Sequence, residues 1–263
     1  MNWLEAIVLG LIQGLTEFLP VSSSGHLELG KYLFGINPES NFYFSIAVHG
    51  ATVLSTILVL WKEIADLTKG FFRFKWNEET IYIVKIVISM VPTAIAGFFM
   101  KEIAENYFTG NMTALGIQFI VTAILLFMPL IIRPKERPIG YFDSFIIGIA
   151  QAFAILPAIS RSGATIATGM MLGNKKSEIA KFSFLMVLVP IIGANLVEIN
   201  SGEFTTEGTP FFVILAGFIA AFISGYFACK WMINLVKKGN LTWFAIYCIA
   251  VGIFSILLGL HVI

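Results

Sequence analysis

The chain of 263 residues is 57% hydrophobic and only 13% charged, with a mean hydropathy of +0.86. This composition excludes an ordinary soluble domain, because several apolar stretches reach the length of about 20 residues that a helix needs to cross a bilayer. A net charge of +1 gives no reason to expect binding to nucleic acid. The two cysteines, Cys229 and Cys248, lie in apolar segments without metal-site spacing or a disulfide framework. We therefore predict an all-α polytopic membrane protein.

Two of the apolar regions are interrupted near their middle, and six are not. Trp3 to Leu33 is broken at LPVSSSG, and Tyr141 to Leu172 is broken at LPAISRSG. The arms beside each break reach only about 18 to 24 Å as helices, short of the ~30 Å hydrocarbon core, so each region is predicted to be a re-entrant helical hairpin. The uninterrupted runs, predicted as transmembrane helices, are Phe42 to Trp61, Ile81 to Met100, Met112 to Ile132, Ile179 to Val197, Phe211 to Met232 and Leu241 to Val262.

The chain is predicted to form a single membrane domain, residues 1–263. An internal repeat relates its first half, about 1–135, to its second half, about 139–263. Each half is predicted to hold one hairpin and three transmembrane helices. An odd number of crossings inverts the second half, so the hairpins enter from opposite faces and meet near the midplane. A shift of 138 positions superimposes Gly10 on Gly148, Gln13 on Gln151, Ser22 on Ser160, Ser24 on Ser162, Gly25 on Gly163, Gly35 on Gly173, Phe44 on Phe182 and Ser45 on Ser183.

The basic residues of the predicted loops indicate the orientation, because cytoplasmic loops are enriched in Lys and Arg. The side that holds the N-terminus keeps only Lys31 and Lys101. The opposite side is therefore predicted to be cytoplasmic, and both termini are predicted to face outward. The basic residues of the predicted cytoplasmic side are Lys62, Lys69, Arg73, Lys75, Arg133, Lys135, Arg137, Lys175, Lys176, Lys230, Lys237 and Lys238.

The hairpins concentrate the ionisable side chains Glu17, His26, Glu28 and Arg161. Such a group inside hydrocarbon costs ~2.5 to 3.5 kcal/mol on insertion scales, which favours a functional reason for its presence. Each second arm begins with free N–H groups and the positive end of a helix dipole, and both attract anions. Arg161 adds a planar fork that matches phosphate oxygens. The sequence therefore predicts a site for a phosphate-bearing ligand inside the bilayer.

Residue spacing indicates which of these groups converge. Gln13 and Glu17 are four apart and share a helix face, whereas Ser23 and His26 are three apart and share a face of the second arm. Ser22 is predicted to be the N-cap of that arm. In the second hairpin, Ser160 is predicted to be the N-cap. Arg161 and Thr165 are four apart and share a helix face, and Ser162 lies nearby. Glycines that allow close backbone approach are Gly25 and Gly163.

The stretches QGLTEFLPVSSSGH and LPAISRSGAT closely resemble the two signature motifs of the bacitracin-resistance type undecaprenyl-pyrophosphate phosphatases. Those motifs read (E/Q)xxxE followed by PxSS(S/T)GH, and PGxSRSxxT, and the resemblance extends along essentially the whole chain. Gln13 takes the glutamine option, and Ala158 stands where the family has glycine. The resemblance implies hydrolysis of the terminal phosphate of the C55 polyprenyl pyrophosphate, at an outward-facing site in the bacterial inner membrane. This reaction recycles the lipid carrier for peptidoglycan synthesis.

A mechanistic hypothesis follows from the resemblance. Arg161, the tip N–H groups and a divalent cation held near Glu17, Mg²⁺ or Ca²⁺, would neutralise the substrate's charge. Ser23 is the candidate nucleophile, with His26 or Glu17 taking its proton, and His26 as direct nucleophile is the alternative. Further residues predicted to bind the pyrophosphate are Gln13, Ser22, Ser24, Gly25, Ser160, Ser162, Gly163 and Thr165.

Other interpretations stay open at this point. A polyprenyl-phosphate transporter or flippase could use the same anion site, because inverted repeats with hairpin tips at the midplane are a transporter design. Arg161 could simply neutralise Glu17 as a structural pair. His49 is interpreted as a packed or interfacial histidine. The expected partners are the polyprenyl pyrophosphate lipid and the bilayer, without nucleic acid, and a homodimer is one alternative for the oligomeric state.

Overall fold

A computed structural model describes the chain over residues 1–36, 42–108, 110–131, 136–156, 158–200 and 209–260, without the side chains of 42, 100–108 and 194–200. Within these ranges the protein is built from helices, as predicted. The helices are α1 (Trp3–Phe18), α2 (Ser23–Leu33), α3 (Phe42–Val59), α4 (Trp61–Phe71), α5 (Glu78–Phe108), α6 (Met112–Phe127), α7 (Tyr141–Phe153), α8 (Arg161–Met171), α9 (Lys176–Asn200), α10 (Phe211–Lys238) and α11 (Thr242–Gly259).

Both predicted helix breaks are present. Helix α1 begins with a capping box between Asn2 and Glu5 and ends where Leu19 leaves the helical region, with φ −70° and ψ 143°. A residue before proline is pushed out of the α region, and Pro20 follows Leu19 directly. The chain then restarts as α2, whereas the second interruption separates α7 from α8. Proline thus ends α1 after 16 residues, within an otherwise apolar stretch of sequence.

The long helices are those of a multi-pass membrane protein. Among the described residues, four segments are long and apolar enough to cross a bilayer. Helices α3 and α4 pass the same test together, but the chain bends by 75° between them, so the predicted straight run from Phe42 to Trp61 ends earlier than expected. The predicted run from Ile179 to Val197 lies within α9. The four segments are Glu78–Phe99, Met112–Leu130, Phe211–Lys238 and Thr242–Gly259.

Small residues bring the first arm of each hairpin close to a long helix. A Cβ atom added to Gly10 of α1 would lie 2.3 Å from the carbonyl oxygen of Gly217 on α10. The same atom on Gly148 of α7 would lie 2.2 Å from the carbonyl oxygen of Ser89 on α5. Glycine is required at both positions because the helix backbones touch there. The two glycines superimposed by the sequence repeat therefore perform the same packing task.

Several of the basic loops come together at one end of the protein. Arg137 donates two hydrogen bonds of 2.6 Å to Asp143 at the start of α7. The backbone N–H of Lys175, before α9, donates to the carbonyl of Arg137 at 3.0 Å. An ion pair between Lys181 and Glu63 joins α9 to α4. Charged side chains and backbone hydrogen bonds thus join these segments.

Candidate active site

The two interrupted regions touch each other where their helices break. The hydroxyl of Ser162, at the start of α8, donates to the carbonyl of Leu19, between α1 and α2, at 3.1 Å. A Cβ atom on Gly25 would lie 3.0 Å from the Cβ of Ala158, and one on Gly163 would lie 3.3 Å from a backbone carbonyl of the first loop. Glycine at both tips therefore lets the two backbones approach closely.

Matching serine caps begin the second arm of each hairpin, as predicted. The Ser22 hydroxyl accepts a hydrogen bond from the N–H of Gly25 at 3.3 Å. The Ser160 hydroxyl accepts from the N–H of Gly163 at 3.1 Å. Side-chain caps of this kind replace the intrahelical partner that the first N–H groups lack. Helices α2 and α8 both start at the contact between the hairpins, so their positive dipole ends point toward one place.

A cavity of about 220 Å³ lies at this contact. Its apolar wall comes from the second loop and from α9. Its polar wall combines both helix starts with side chains from α1, α3, α5 and α7, and this composition suits a charged headgroup attached to a lipid. The polar residues that line it are Thr16, Glu17, Ser22, Ser23, Ser24, His49, Thr93, Gln151, Ser160, Arg161 and Ser162.

The Glu17 carboxylate is the centre of the polar wall. It forms an ion pair with Arg161 of the other hairpin. It also accepts hydrogen bonds from the Ser23 hydroxyl at 2.5 Å and from the Gln13 amide at 2.9 Å. Glu17 is only 8% exposed, and a charge at this depth is tolerated because each of its partners compensates part of the lost hydration. The structure therefore brings Glu17, Ser23 and Arg161 together.

The backbone just before Ser23 is strained. Ser22 has φ +68° and ψ 102°, a region that residues other than glycine seldom adopt. Such a conformation costs on the order of 1–3 kcal/mol and persists only where the surroundings fix it. Ser160, at the matching position of the second hairpin, has an ordinary extended conformation with φ −67° and ψ 113°.

His26 is not among the residues that line the cavity. Its Nδ1 atom lies 2.7 Å from the carbonyl oxygen of Ser22, and its Nε2 atom lies 2.8 Å from the hydroxyl of Tyr247 on α11. The ring stacks on Tyr247 with centroids 5.5 Å apart and meets the edge of Phe119 at 5.1 Å. The spacing of three residues predicted that Ser23 and His26 share a face of α2, but only Ser23 lines the cavity. The Ser22 carbonyl and two aromatic rings hold the imidazole outside the cavity wall.

The eight residues predicted to bind pyrophosphate divide into two groups. Gln13 is fully buried behind Glu17, and the hydroxyl of Thr165 lies 2.6 Å from that of Ser183. Both support residues of the cavity wall without forming part of it. Those that line the cavity are Ser22, Ser24, Ser160 and Ser162, and those behind its wall are Gln13, Gly25, Gly163 and Thr165.

Four polar lining residues were not predicted as site residues: Thr16, His49, Thr93 and Gln151. His49 of α3 was interpreted as packed or interfacial, but it lines the cavity, and its Nδ1 atom lies 2.8 Å from the Ser45 carbonyl oxygen. Gln151 of α7 donates to the Thr93 hydroxyl at 3.1 Å. The repeat contained a signal for Gln151, since it superimposes on Gln13. The positions of His49 and Thr93 depend on how α3 and α5 pack, which no local pattern reveals.

The oxygen atoms around Glu17 suit a cation shared with a phosphate better than a closed metal site. No group of three or more His, Cys, Asp or Glu side chains with metal-binding geometry occurs in the part of the chain that the structure describes. The Oε1 atoms of Gln13 and Gln151 are buried without a hydrogen-bond partner among the described residues. Mg²⁺ commonly binds through one or two carboxylates together with substrate phosphates, and amide oxygens also bind Ca²⁺.

Comparison with known proteins identifies the family of the chain. The family model described as bacitracin resistance protein BacA matches residues 6–254. An undecaprenyl-diphosphatase of Bacteroides thetaiotaomicron is 52% identical over 257 residues, 96% of this chain and 97% of that protein. Proteins of the same name from Thermosipho africanus (40% identical over 256 residues, 96% and 99% of the two chains) and Carboxydothermus hydrogenoformans (38% over 259 residues, 96% and 96%) are also similar. The chain belongs to the bacitracin resistance protein BacA family.

Proposed function

We propose that this protein hydrolyses undecaprenyl pyrophosphate to undecaprenyl phosphate and inorganic phosphate, the activity for which its relatives are named. The observation that carries the proposal is the contact of three groups in one cavity. These are a serine hydroxyl, the carboxylate that accepts its hydrogen bond, and a guanidinium from the opposite hairpin. A nucleophile, its base and a cationic anchor are what phosphoryl transfer requires of a protein.

The first chemical step uses the hydrogen bond between Ser23 and Glu17. The Ser23 oxygen attacks the terminal phosphorus, its proton passes to Glu17, and the bond from that phosphorus to the bridging oxygen breaks. Undecaprenyl phosphate leaves, the proton on Glu17 passes to its freed oxygen, and the terminal phosphoryl group stays on Ser23. A water molecule then attacks the phosphoserine while the ionised Glu17 takes a proton from it. Glu17 passes that proton to the Ser23 oxygen as its bond to phosphorus breaks, and inorganic phosphate is released.

Geometry favours Ser23 over His26 as the nucleophile. The Ser23 hydroxyl lies in the cavity wall, 2.5 Å from the oxygen that would take its proton. Both ring nitrogens of His26 already have hydrogen-bond partners, and the ring lies outside the cavity wall. A phosphohistidine would require the imidazole to leave both partners before it could reach the substrate.

Arg161 and the two helix starts supply the positive charge. Only one terminal nitrogen of the guanidinium, Nη2, is used by Glu17. The remaining N–H donors have no hydrogen-bond partner among the described residues and can bind a phosphate oxygen, in the fork arrangement that favours bidentate binding. Because these donors are fixed before the substrate arrives, little reorganisation is needed as charge develops on the phosphate.

A divalent cation, Mg²⁺ or Ca²⁺, is part of the proposal. Glu17 would hold it, and Gln151, which lines the cavity and whose buried Oε1 atom has no hydrogen-bond partner among the described residues, would turn that oxygen toward the ion as a second ligand. When bound, such an ion neutralises charge on the phosphate oxygens. The rest of its coordination would come from the substrate and water.

The membrane arrangement belongs to the same proposal. The two interrupted regions act as re-entrant hairpins of an inverted repeat, and the cavity and both termini face outward across a bacterial inner membrane. The contact between the two helix breaks and the clustering of basic loops at one end support this arrangement. A homodimer stays a prediction. A C-terminal reporter that proved cytoplasmic would overturn the orientation.

The test is phosphate release by the purified protein in detergent. Undecaprenyl pyrophosphate is supplied with Mg²⁺ or Ca²⁺, and undecaprenyl phosphate serves as the control that lacks the anhydride bond. We expect turnover of the pyrophosphate only, and a loss of at least about 100-fold in Ser23→Ala. No release with any divalent ion would favour the transporter alternative, whereas full activity of Ser23→Ala would remove Ser23 as nucleophile.

A further inference from the structure

We infer that His26 and Tyr247 form a positioning pair that holds the strained backbone of Ser22 and thereby aims the Ser23 hydroxyl at Glu17. Neither side chain contacts the substrate in this arrangement. The inference rests on the proposed function and assigns His26 a part other than base or nucleophile. It also brings in Tyr247, a residue of α11 outside both signature motifs.

The hydrogen bonds define the protonation state of the imidazole. The carbonyl oxygen of Ser22 can only accept, so the Nδ1 atom of His26, 2.7 Å away, carries a proton. In the neutral ring Nε2 is then an acceptor, and the hydroxyl of Tyr247 donates to it at 2.8 Å. The backbone N–H of His26 also donates to the Ser22 carbonyl, at 3.2 Å. The ring is thus tied at one edge to the strained residue and at the other to α11.

The second hairpin provides an internal comparison. Ser160 caps α8 in the same way that Ser22 caps α2, through a hydroxyl that accepts from the N–H three residues later. The repeat places Ala164 at the position of His26, so no imidazole is present to bind the cap's carbonyl. Ser160 has φ −67°, whereas Ser22 has φ +68°. The imidazole bond and the left-handed backbone occur together, in the hairpin that carries the serine nucleophile.

The backbone torsion at Ser22 decides where the next side chain points. Ser23 follows it directly, and its hydroxyl lies 2.5 Å from a Glu17 oxygen. A residue other than glycine keeps positive φ only when its surroundings enforce it. His26 is 8% exposed, and its contacts with the rings of Tyr247 and Phe119 brace the imidazole against Ser22. Loss of the brace would let Ser22 relax and turn the Ser23 hydroxyl away from its base.

Two substitutions of His26 separate positioning from proton transfer. In His26→Asn the amide nitrogen takes the place of Nδ1 and can still donate to the Ser22 carbonyl, whereas in His26→Gln it takes the place of Nε2 and cannot. We expect His26→Asn to keep kcat within about ten-fold of wild type and His26→Gln to lose about 100-fold, the cost of a ~1 Å misplacement. Tyr247→Phe, which removes only the hydroxyl, should lower kcat about five-fold with little change in KM.

The pH dependence gives a second, independent readout. If His26 is the base, His26→Asn and His26→Gln both lose about 100- to 10,000-fold, and the acidic limb of the kcat/KM profile disappears. That result would overturn the inference. If the pair acts by positioning, His26→Asn keeps the acidic limb of the wild-type protein. Tyr247→Phe with wild-type kcat would also overturn the inference, because the hydroxyl would then hold nothing that the reaction needs.

Controls distinguish a folding defect from a positioning defect. Each variant is checked by size-exclusion chromatography in detergent and by its affinity for methylenediphosphonate, a pyrophosphate mimic that cannot be hydrolysed. Affinity within about two-fold of wild type, together with a lower kcat, is the expected signature of a misplaced nucleophile. If His26→Gln does not fold, the Tyr247→Phe and His26→Asn results still decide. If the wild-type protein releases no phosphate, the proposed function itself is rejected. If the wild type is active but His26→Asn and His26→Gln are equally inactive, only the inference about the positioning pair is rejected.

Discussion

Glu17 of α1 and Arg161 of α8 form a buried ion pair between residues 144 positions apart in the sequence. This pair joins the two hairpins at the cavity, since each partner comes from a different interrupted region. Breaking a buried pair by removing one partner typically costs 3–5 kcal/mol, because the remaining charge is left without compensation. The pair therefore has a structural consequence whatever its part in the chemistry.

A double-mutant cycle measures that consequence. We expect Glu17→Ala and Arg161→Ala each to lower the free energy of unfolding by about 3–5 kcal/mol. The double variant should lose less than the sum of the two, with a coupling of roughly 1–3 kcal/mol, because it buries no unpaired charge. Unfolding in detergent, followed by circular dichroism, provides the values. Strict additivity would contradict the pairing.

Replacing Glu17 by glutamine isolates the proton acceptor from the packing. The amide is nearly isosteric and can still accept the hydrogen bond from Ser23, but it cannot take a proton. We expect kcat to fall by about 100- to 10,000-fold. The matched control is Glu28→Gln, in a second glutamate of the same hairpin, which pairs with Lys31 at 3.8 Å and does not line the cavity. Equal losses in both variants would indicate a general loss of stability rather than of a base.

The parts of the site that follow from local rules could be predicted from the sequence. The caps at Ser22 and Ser160 depend only on residues three positions later, and the break after Leu19 depends on the next residue, Pro20. The direction of His26 could not be predicted, because its ring is held by Tyr247, 221 positions away. Residue spacing limits which side chains can meet on one helix, but the choice of partner on another helix depends on the packing of the whole assembly.

Substitution of Gln13 tests the cation. Gln13→Glu places a second carboxylate beside Glu17, at a fully buried position. Cation affinity depends on the number of charged ligands, so we expect the concentration of Mg²⁺ or Ca²⁺ for half-maximal activity to fall by about ten-fold or more. After chelation the variant should unfold more easily than wild type, since two neighbouring carboxylates then repel each other. An unchanged cation requirement would argue against an ion at this position.

The position of His49 in the cavity wall predicts a contribution to substrate binding. Its Nδ1 atom lies near the Ser45 carbonyl, which leaves Nε2 as the ring nitrogen available to the cavity. A hydrogen bond to a charged group contributes about 1.5–3 kcal/mol, so His49→Leu should lower kcat/KM by about 10- to 100-fold. His49→Gln keeps a donor near the place of Nε2 and should recover most of the kcat/KM that His49→Leu loses. If His49→Leu matches wild type, the histidine is merely a packed residue, as the sequence suggested.

The contact between α1 and α10 predicts opposite effects for two glycine substitutions. At Gly10 an added Cβ atom would lie 2.3 Å from the carbonyl oxygen of Gly217, which is backbone and cannot move aside. Gly10→Ala should therefore separate the helices and lower stability by about 1–3 kcal/mol. At Gly97 of α5 no atom lies within 4 Å of the same position. Gly97→Ala should raise stability by up to about 1 kcal/mol, because alanine favours the helix.

This comparison also tests how the active site is supported. Helix α1 carries Glu17 two turns beyond Gly10, so a shift of the helix away from α10 moves the carboxylate relative to Ser23 and Arg161. We expect Gly10→Ala to lose about 100-fold in kcat, as for a misplacement of ~1 Å, and Gly97→Ala to keep wild-type turnover. Phosphate release and thermal unfolding are measured on the same preparations. A Gly10→Ala variant that is destabilised but fully active would contradict this expectation. The ion pair with Arg161, and not the packing of α1, would then hold the Glu17 carboxylate in place while the helix moves.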